Sequence, residues 1–512
     1  MNQNNKRILV NTVVLYGRLL VTMFVSFFTT RVVLRALGVE DLGLVNAIGG
    51  VTSMFAFISI TLSTACSRYF SFELGRGEKG RLGEVFSQMM LLYIAGALLL
   101  VILLESIGSW YVLNKLVVPP GRESAAFLFF QLMIVGWLFS WFSVPYSAVI
   151  VSYENMGLFA VFSIVDVVVK LLAALAVLYV KNFDGLIFYG WLLMIASALH
   201  TVLHVVIVKI KYPLCRFKFF IDKNQIRELL CFNGWQAYGA LAWSTSDCFV
   251  NLLLNSFFGP VVNASRLVAF QLQTAVGNFT QGFLTATRPQ IVKFWAAGER
   301  ESFRLLFNRS SKIGYFLTFF FTLPLFVEAE IVLGWWLQNV PTHAIAFTRI
   351  VLIHCLINTF SFPLVYGAQA VGRIGLFTAI GSGMLLITWP VSWFALSIGC
   401  SPEFVFVIAA FVVFLSVIAR AIIFSKLTDM SFWSFIMNVF VRMIVFSVVA
   451  AVPVVLIRFS MEYGLYRFLC VGVVSVFASI ISFLLLGLDF NERATVLAML
   501  KSFASKLRGG SK

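Results

Sequence analysis

The feature that most limits how this chain can fold is a long series of apolar runs. A hydrocarbon layer about 30 Å thick is crossed by about 20 helical residues, and many of the runs reach that length. Only 12% of the residues are charged, against about 25% in soluble globular proteins, so a water-soluble fold is excluded. The apolar windows predict fourteen membrane helices, at residues 8–34, 43–65, 84–105, 125–150, 157–180, 185–208, 234–258, 264–287, 313–334, 344–369, 374–398, 402–424, 437–457 and 465–487.

The basic residues follow a topological pattern. The formal charge is +16, but Lys and Arg are concentrated in the loops on one side of the predicted helices, so nucleic acid is not expected as a partner. The positive-inside rule assigns that side, and with it both termini, to the cytoplasm. Basic residues assigned to the cytoplasmic side include Lys209, Lys211, Arg216, Lys218, Arg300, Arg304, Arg373, Arg420 and Lys426.

No pattern of residues indicates an enzyme or a metal site. The seven cysteines stand far apart without a CxxC pair and are predicted to stay unpaired. His200 and His204 are spaced i,i+4 but have no third ligand, so no metal is expected. Because the sequence has no Walker loop and no nucleophile beside a base, the prediction is a protein without enzymatic activity or cofactor. An intramembrane glycosyltransferase or ligase is the weaker alternative.

An internal repeat arranges the helices in two related sets of six. Three pairs of residues align in the same order, at offsets of 221, 221 and 218 positions: Gly38 with Gly259, Gly77 with Gly298, and Pro145 with Pro363. The repeat predicts an all-α membrane protein with two six-helix lobes around a central cavity and two additional C-terminal helices. The predicted divisions are an N-terminal lobe at 1–210, a basic cytoplasmic linker at 211–233, a C-terminal lobe at 234–430, and two extra membrane helices with a cytoplasmic tail at 431–512.

The first helix of each predicted lobe carries a polar face. Polar groups are costly against lipid, so both faces are expected to line an interior. For the uncharged members, hydrogen bonding between packed helices is an equally open explanation. The residues of these faces are Arg18, Thr22 and Thr29 on the first helix and Ser244, Asp247 and Asn251 on the seventh.

Arg18 is the least easily explained residue of these faces. An unpaired guanidinium about ten residues into an apolar span costs at least about 2.5 kcal/mol, and the first two spans contain no carboxylate. The guanidinium fork binds phosphate or diphosphate well, so Arg18 is the predicted contact for an anionic cargo, with snorkelling as the alternative. Arg266 and Gln273 share a face of the eighth helix and are further candidates for lining, although snorkelling is the default for Arg266.

Asp166 and Asp247 are carboxylates in the middle of predicted spans. Asp166 and Lys170 are spaced i,i+4 and are predicted to form a structural ion pair rather than a proton relay. Asp247 stands alone in mid-span. There it either binds a coupling cation or pairs with a basic residue of the opposite lobe.

Several longer runs, spread over nearly the whole chain, are similar to those of one superfamily of transporters. They include RVVLRALGVEDLGLVNAIGG, RYFSFELGRGE, SYENMGLFAVFSIVDVVVKL and RPQIVKFWAAGE. In these runs the chain resembles the polysaccharide flippases of the multidrug/oligosaccharidyl-lipid/polysaccharide exporter superfamily. The resemblance implies two six-helix bundles whose cavity alternates between the membrane faces. It also implies that Arg18 fits a cavity arginine of the related lipid II flippase, and that helices thirteen and fourteen guide a polyprenyl tail.

The expected function is that of a flippase in the bacterial inner membrane. It would move a polyprenyl-diphosphate-linked oligosaccharide, such as an O-antigen or capsule unit, to the periplasmic leaflet. Its expected partners are this lipid-linked sugar, membrane lipids and polysaccharide polymerase machinery, with an optional coupling ion. The alternatives are a multidrug/cation antiporter of the same superfamily, a lipid II flippase and, less favoured, a major-facilitator sugar transporter.

Overall fold

The described part of the chain is entirely helical. A computed structural model describes residues 3–53, 56–77, 80–114, 116, 118, 120–180, 183–219, 221–258, 260–336, 340–428, 430–489 and 492–493. Within these residues the backbone forms fifteen helices and no strand. In chain order they are α1 (Gln3–Ser53), α2 (Ala56–Gly75), α3 (Leu82–Asn114), α4 (Glu123–Ser152), α5 (Met156–Tyr179), α6 (Gly185–Lys211), α7 (Lys223–Phe258), α8 (Pro260–Ala296), α9 (Arg300–Val327), α10 (Ala329–Trp336), α11 (Ala344–Val371), α12 (Gly375–Ser397), α13 (Glu403–Thr428), α14 (Phe432–Ser460) and α15 (Leu465–Gly487).

The helices have the lengths and compositions that a bilayer requires. Among the described residues, α3 to α6, α9 and α11 to α15 are ten helices long and apolar enough to cross a membrane, and Val10–Ser26 of α1 is a shorter apolar stretch. Helices suit this setting because each satisfies its own backbone hydrogen bonds where no water is present. Each of the fourteen predicted segments lies mostly in helix where it is described, and the segment at 313–334 is divided at Glu328 between α9 and α10. The chain is a multi-pass membrane protein.

The break expected between the first two helices is present, because α1 contains two helices that meet at Gly38, whose φ of 80° and ψ of 179° are non-helical. Other helix ends differ from the prediction: α2 continues to Gly75 instead of 65, α8 continues to Ala296 instead of 287, and α9 begins at Arg300 instead of 313.

The ends of two further helices also differ from the prediction. α3 continues to Asn114 through a π-helical turn at Leu104–Gly108. α7 begins at Lys223 instead of 234, because its amphipathic first turns bury Leu229 and Phe232 while polar residues face outward. A prediction from mean hydropathy leaves out such polar turns, although they belong to the helix.

The described chain divides into two compact units. The first runs from Val10 to Ala237, and the second runs from Tyr238 onward and includes the chain up to Leu9. In the first unit α4 packs along α6, where Gly136 and Gly190 let the helices approach closely. A Cβ on Gly190 would lie 2.9 Å from the Phe129 ring. The domain boundaries drawn from the repeat stay predictions.

Aligned positions of the repeat share unusual backbone conformations. Gly77 and Gly298, aligned in the sequence, have φ of 60° and 80°. Glu154 is the described non-glycine residue with positive φ, at 59°, and the offset of 218 positions aligns it with Gly372, at 88°. The left-handed region is costly for a residue with a Cβ. In both pairs of aligned turns the backbone adopts the left-handed conformation. This shared conformation supports the alignment of the repeat independently of amino-acid similarity. Gly259, the partner of Gly38, lies outside the described residues.

We expect Gly372→Ala to destabilise the protein by about 1–2 kcal/mol, because alanine is strained at a φ of 88°. The matched control is Gly472→Ala in α15, where a new Cβ would meet no atom within 4 Å and helix propensity favours alanine. Thermal unfolding in detergent micelles measures both. Equal melting temperatures for the two variants would contradict the left-handed turn at Gly372.

Ion pairs attach α15 and the segment after it to α9 and to the residue that follows α9. In the middle of α9, Lys312 is 1% exposed and donates to Asp489 at 2.7 Å and to Glu492 at 2.9 Å, both of which follow α15. Beyond the end of α9, Glu328 accepts from Arg467 of α15 at 2.8 Å, with both side chains buried. Because a buried charge without a counter-charge is costly, these contacts fix where α15 and the segment after it pack.

The buried pair of Glu328 and Arg467 has a testable energetic signature. Glu328→Gln is expected to destabilise the protein by about 3–5 kcal/mol, since it leaves Arg467 buried without a carboxylate. The double variant with Arg467→Met is expected to lose less than the sum of the single losses. Glu330→Gln is the control, because Glu330 is 36% exposed beside its arginines and is expected to contribute only about 0–1 kcal/mol. Additive losses in chemical unfolding would refute the pair.

Candidate functional site

The polar face of α1 is present, but its threonines bond within their own helix. The Thr22 hydroxyl donates to the Leu19 carbonyl at 3.0 Å, and the Thr29 hydroxyl donates to the Val25 carbonyl at 2.8 Å. Such bonds satisfy a hydroxyl without a neighbouring helix or a ligand. Whether either hydroxyl contacts a cargo stays a prediction.

Arg18 reaches from α1 to α5 and lies against a polar and an aromatic partner. Its Nη1 donates to the Ser163 hydroxyl at 3.3 Å, and its guanidinium carbon lies 5.0 Å from the centre of the Phe159 ring. Its Nε is buried without a hydrogen-bond partner. None of the carboxylates in the described chain pairs with Arg18. The guanidinium thus keeps its full positive charge and has free capacity to donate.

Asp247 and Arg266 contact each other, which corrects the expectation that Asp247 stands alone. Arg266 of α8 donates through Nη2 to the Asp247 carboxylate and, at 3.3 Å, to its backbone carbonyl. Arg266 is buried, and its guanidinium carbon lies 4.2 Å from the centre of the Phe270 ring. The basic partner therefore comes from the next helix of the same unit, and Arg266 does not snorkel. A carboxylate held in this way is poorly available to a coupling cation.

The remaining predicted lining residues are dispersed. Ser244 and Asn251 have exposed side chains on α7. Gln273 of α8 lies 3.3 Å from the His354 ring nitrogen of α11, an interhelical contact rather than an open position. No described contact joins these three residues, and their part in a site stays a prediction.

Asp166 forms the predicted pair with Lys170, and a histidine extends it. Lys170 donates to the Asp166 carboxylate at 2.8 Å along α5, which confirms the i,i+4 pair. His200 of α6 places its Nδ1 3.8 Å from the other carboxylate oxygen, and the His204 ring stacks on Phe162. Sequence spacing suggested the histidines only as neighbours of each other. Their packing against α5 is what the sequence could not show.

Arg420, which was assigned from the sequence only to the cytoplasmic side, is a buried arginine. It lies within α13, 9% exposed, with its Nη2 donating to the Ser382 hydroxyl of α12 at 3.1 Å. A Cβ on Gly381 would lie 2.4 Å from the Arg420 Nε, so the glycine makes room for the guanidinium. The described residues provide no carboxylate partner for it. The available signal was its distance from the end of the apolar run, which continues to Thr428.

The cysteines match the prediction of unpaired thiols. All seven are free. Cys215, in the segment between α6 and α7, is buried, and burial raises the pKa of its thiol to about 12. It is therefore protonated at neutral pH and a poor nucleophile.

Comparison with known proteins shows which fold this is. No family model matches the sequence. The uncharacterized membrane protein EpsK of Bacillus subtilis (strain 168) is 30% identical over 103 residues, which are 20% of this chain and 20% of that protein. The fold is similar to that of a MATE protein in the straight conformation, with a TM-score of 0.72 and 13% identity over 83% of this chain and 97% of that one.

Two further solved structures have the same fold. The Vibrio cholerae MATE transporter VcmN, in its bent form, matches with a TM-score of 0.71 and 16% identity over 83% of this chain and 97% of its own. A MOP superfamily transporter from Pyrococcus furiosus is described as having a binding pocket of reverse polarity that suggests a different function. It matches with a TM-score of 0.68 and 11% identity over 83% of this chain and 96% of its own. The chain is a multi-pass membrane protein with the fold of MATE transporters of the MOP superfamily.

The two mid-helix carboxylates are expected to respond differently to neutralisation. Asp247→Asn removes the charged partner of the buried Arg266 and is expected to destabilise the protein by about 1.5–3 kcal/mol. Asp166→Asn is the matched control, because it leaves behind Lys170, which is 41% exposed and not buried, and a smaller loss than that of Asp247→Asn is expected. Unfolding in detergent measures both variants. A loss for Asp247→Asn no larger than for the control would mean that the carboxylate is free for another ligand.

Proposed function

We propose that this protein is a flippase that moves a polyprenyl-diphosphate-linked oligosaccharide across the bacterial inner membrane by alternating access. The class of cargo follows from the positive charge that Arg18 keeps without a counter-charge among the described residues. The sugar would be an O-antigen, capsule or exopolysaccharide unit, as the sequence resemblance implies. Transport, rather than catalysis, is the activity that solved proteins of this fold are described as having.

Arg18 is the observation that carries this proposal. It is half-buried in an apolar helix, its Nε is unsatisfied, and no described carboxylate pairs with it. A guanidinium binds the oxygens of a phosphate or diphosphate through charge-assisted hydrogen bonds. Phe159 and Ser163 hold the side chain in place while leaving donors unused. A diphosphate head would supply the missing acceptors.

The multidrug/cation antiporter is the main rival and has a specific difficulty. A cationic drug or coupling ion needs a free carboxylate, whereas Asp166 contacts Lys170 and Asp247 contacts Arg266. Fold similarity cannot decide between cargoes, because one fold supports different functions. A lipid II flippase would share the diphosphate chemistry and is separated from the proposal only by the sugar.

The membrane potential can assist the proposed transport. An inside-negative potential favours outward movement of an anionic head by about 2.3 kcal/mol per charge for each 100 mV fully crossed. A coupling ion is therefore optional on energetic grounds. The positive-inside pattern of the loops supports cytoplasmic termini, of which residues 494–512 lie outside the described part of the chain.

Translocation of a fluorescent undecaprenyl-diphosphate oligosaccharide in proteoliposomes tests the proposal. Arg18→Ala is expected to lower the initial rate about tenfold or more, because it removes a charge-assisted contact of about 1.5–3 kcal/mol. Arg18→Lys is expected to be intermediate, since it keeps the charge but loses the fork. Ser163→Ala should have a smaller effect, because it removes one neutral hydrogen bond to the guanidinium.

The other outcomes are informative at matched insertion and melting temperature. Unchanged transport by Arg18→Ala would remove Arg18 from the head-group site. Transport of an organic cation, with no lipid-linked glycan moved, would overturn the flippase in favour of the antiporter. Transport restricted to lipid II would identify the alternative cargo.

A further inference from the structure

A cavity separate from the Arg18 site opens at the ends of four membrane helices of the second unit. Its volume is about 570 Å³, within the range of small-molecule sites. The end of α8, the start of α9 and the ends of α11 and α13 surround it. The lining residues are Trp295, Arg300, Glu301, Phe303, Arg304, Val371, Arg373, Lys426, Leu427, Thr428 and Met430.

The lining of this basic cavity is strongly positive. Four basic side chains face one acidic side chain, Glu301, and none of the four is in an ion pair with a carboxylate of the described chain. Asp429, next to the lining residue Thr428, lies outside the described residues. Farther along α9, Arg309 and Lys312 contact Glu492. The basic groups of the cavity thus outnumber its described carboxylate, whereas these two basic groups farther along the helix are paired.

Arg300 is held in position by the turn between α8 and α9. Gly298, with φ 80°, ends α8, and the Glu299 N–H donates to the Phe294 carbonyl at 3.0 Å across the turn. This reversal lays the Arg300 guanidinium on the Trp295 ring, 3.4 Å from its centre. The Trp295 ring packs in turn edge-on against the buried Phe303. A guanidinium fixed on an aromatic face loses little entropy when it binds an anion.

The position of the cavity favours phosphate groups as ligands. Helix ends lie at the level of lipid head groups, and the positive-inside pattern assigns all four basic residues to the cytoplasmic side. Basic pockets between membrane helices on that side suit phosphate head groups. Arg300, Arg304, Arg373 and Lys426 are exposed, so an anion reaches them without crossing a hydrophobic barrier.

We propose that the basic cavity binds a phosphate-bearing anion at the membrane surface, independently of Arg18. Two sources share this chemistry: the head group of an anionic lipid and a soluble phosphate or diphosphate. The site would hold the anion through Arg300 on Trp295, with Arg304, Arg373 and Lys426 completing its coordination. It goes beyond the proposed transport function and does not depend on it.

Two binding measurements on the full chain distinguish the sources. One follows inorganic pyrophosphate by calorimetry in detergent, and the other follows phosphatidylglycerol against phosphatidylcholine by native mass spectrometry. Arg304→Gln/Arg373→Gln is expected to weaken binding about tenfold or more, because it removes two charge-assisted contacts. Arg216→Gln/Lys218→Gln, which removes two exposed charges outside the cavity, is the matched control and is expected to bind normally.

Each outcome bears on the proposal. Loss of pyrophosphate binding only in the cavity variant supports a soluble anion, and loss of phosphatidylglycerol binding only in that variant supports a lipid head group. Equal losses in cavity and control variants, or no binding of either probe to the native chain, would overturn the site. If Arg304→Gln/Arg373→Gln unfolds, Lys426→Gln alone is expected to weaken binding severalfold. The site is assigned by the difference between the cavity and control variants, both of which keep Arg18, so failure of this site and failure of the transport proposal are distinguishable.

Discussion

Inside a membrane, a charged side chain must meet an opposite charge, reach water or serve a ligand, and this constraint organises the second unit. Lys312, almost fully buried, meets Asp489 and Glu492 in the middle of α9, and Glu328 meets Arg467 beyond its end. These pairs join this part of the chain to α15 and to the segment after it. Single buried pairs add little net stability, but each is costly to break. The pairs therefore specify the packing of α15 and the segment after it more than they strengthen it.

The same constraint gives meaning to the charges that have no partner. Arg18 and Arg420 lie in apolar helices with hydroxyl and aromatic neighbours and without a carboxylate among the described residues. The mid-helix carboxylates Asp166 and Asp247, by contrast, contact basic side chains. The uncompensated charge at these helical positions is positive, which favours an anionic ligand. Arg420 donates to the Ser382 hydroxyl and lies over the Phe377 ring, and Gly381 leaves space for its guanidinium.

Features set by local sequence were predictable, and features set by helix rotation were not. The helical segments, the pair of Asp166 and Lys170, and the turn at Gly298 each depend on residues a few positions apart. The pair of Asp247 and Arg266 needs two neighbouring helices in one particular rotation, which periodicity does not determine. Arg420 was assigned only to the cytoplasmic side, because the sequence does not distinguish a basic residue that faces water near the end of an apolar run from one that faces a neighbouring helix.

The two proposed anion contacts differ in electrostatic setting, and this difference separates their roles. The four basic groups of the cavity are exposed. At physiological ionic strength the Debye length is about 8 Å, so salt screens their attraction for phosphates that are farther away than that. Such a site gathers anions at the surface with little discrimination. Arg18 is half-buried beside Phe159, where screening is weaker and an unsatisfied Nε requires a correctly placed acceptor. Selection among phosphate-bearing lipids would therefore depend on Arg18, and salt should weaken binding at the cavity far more than transport through Arg18.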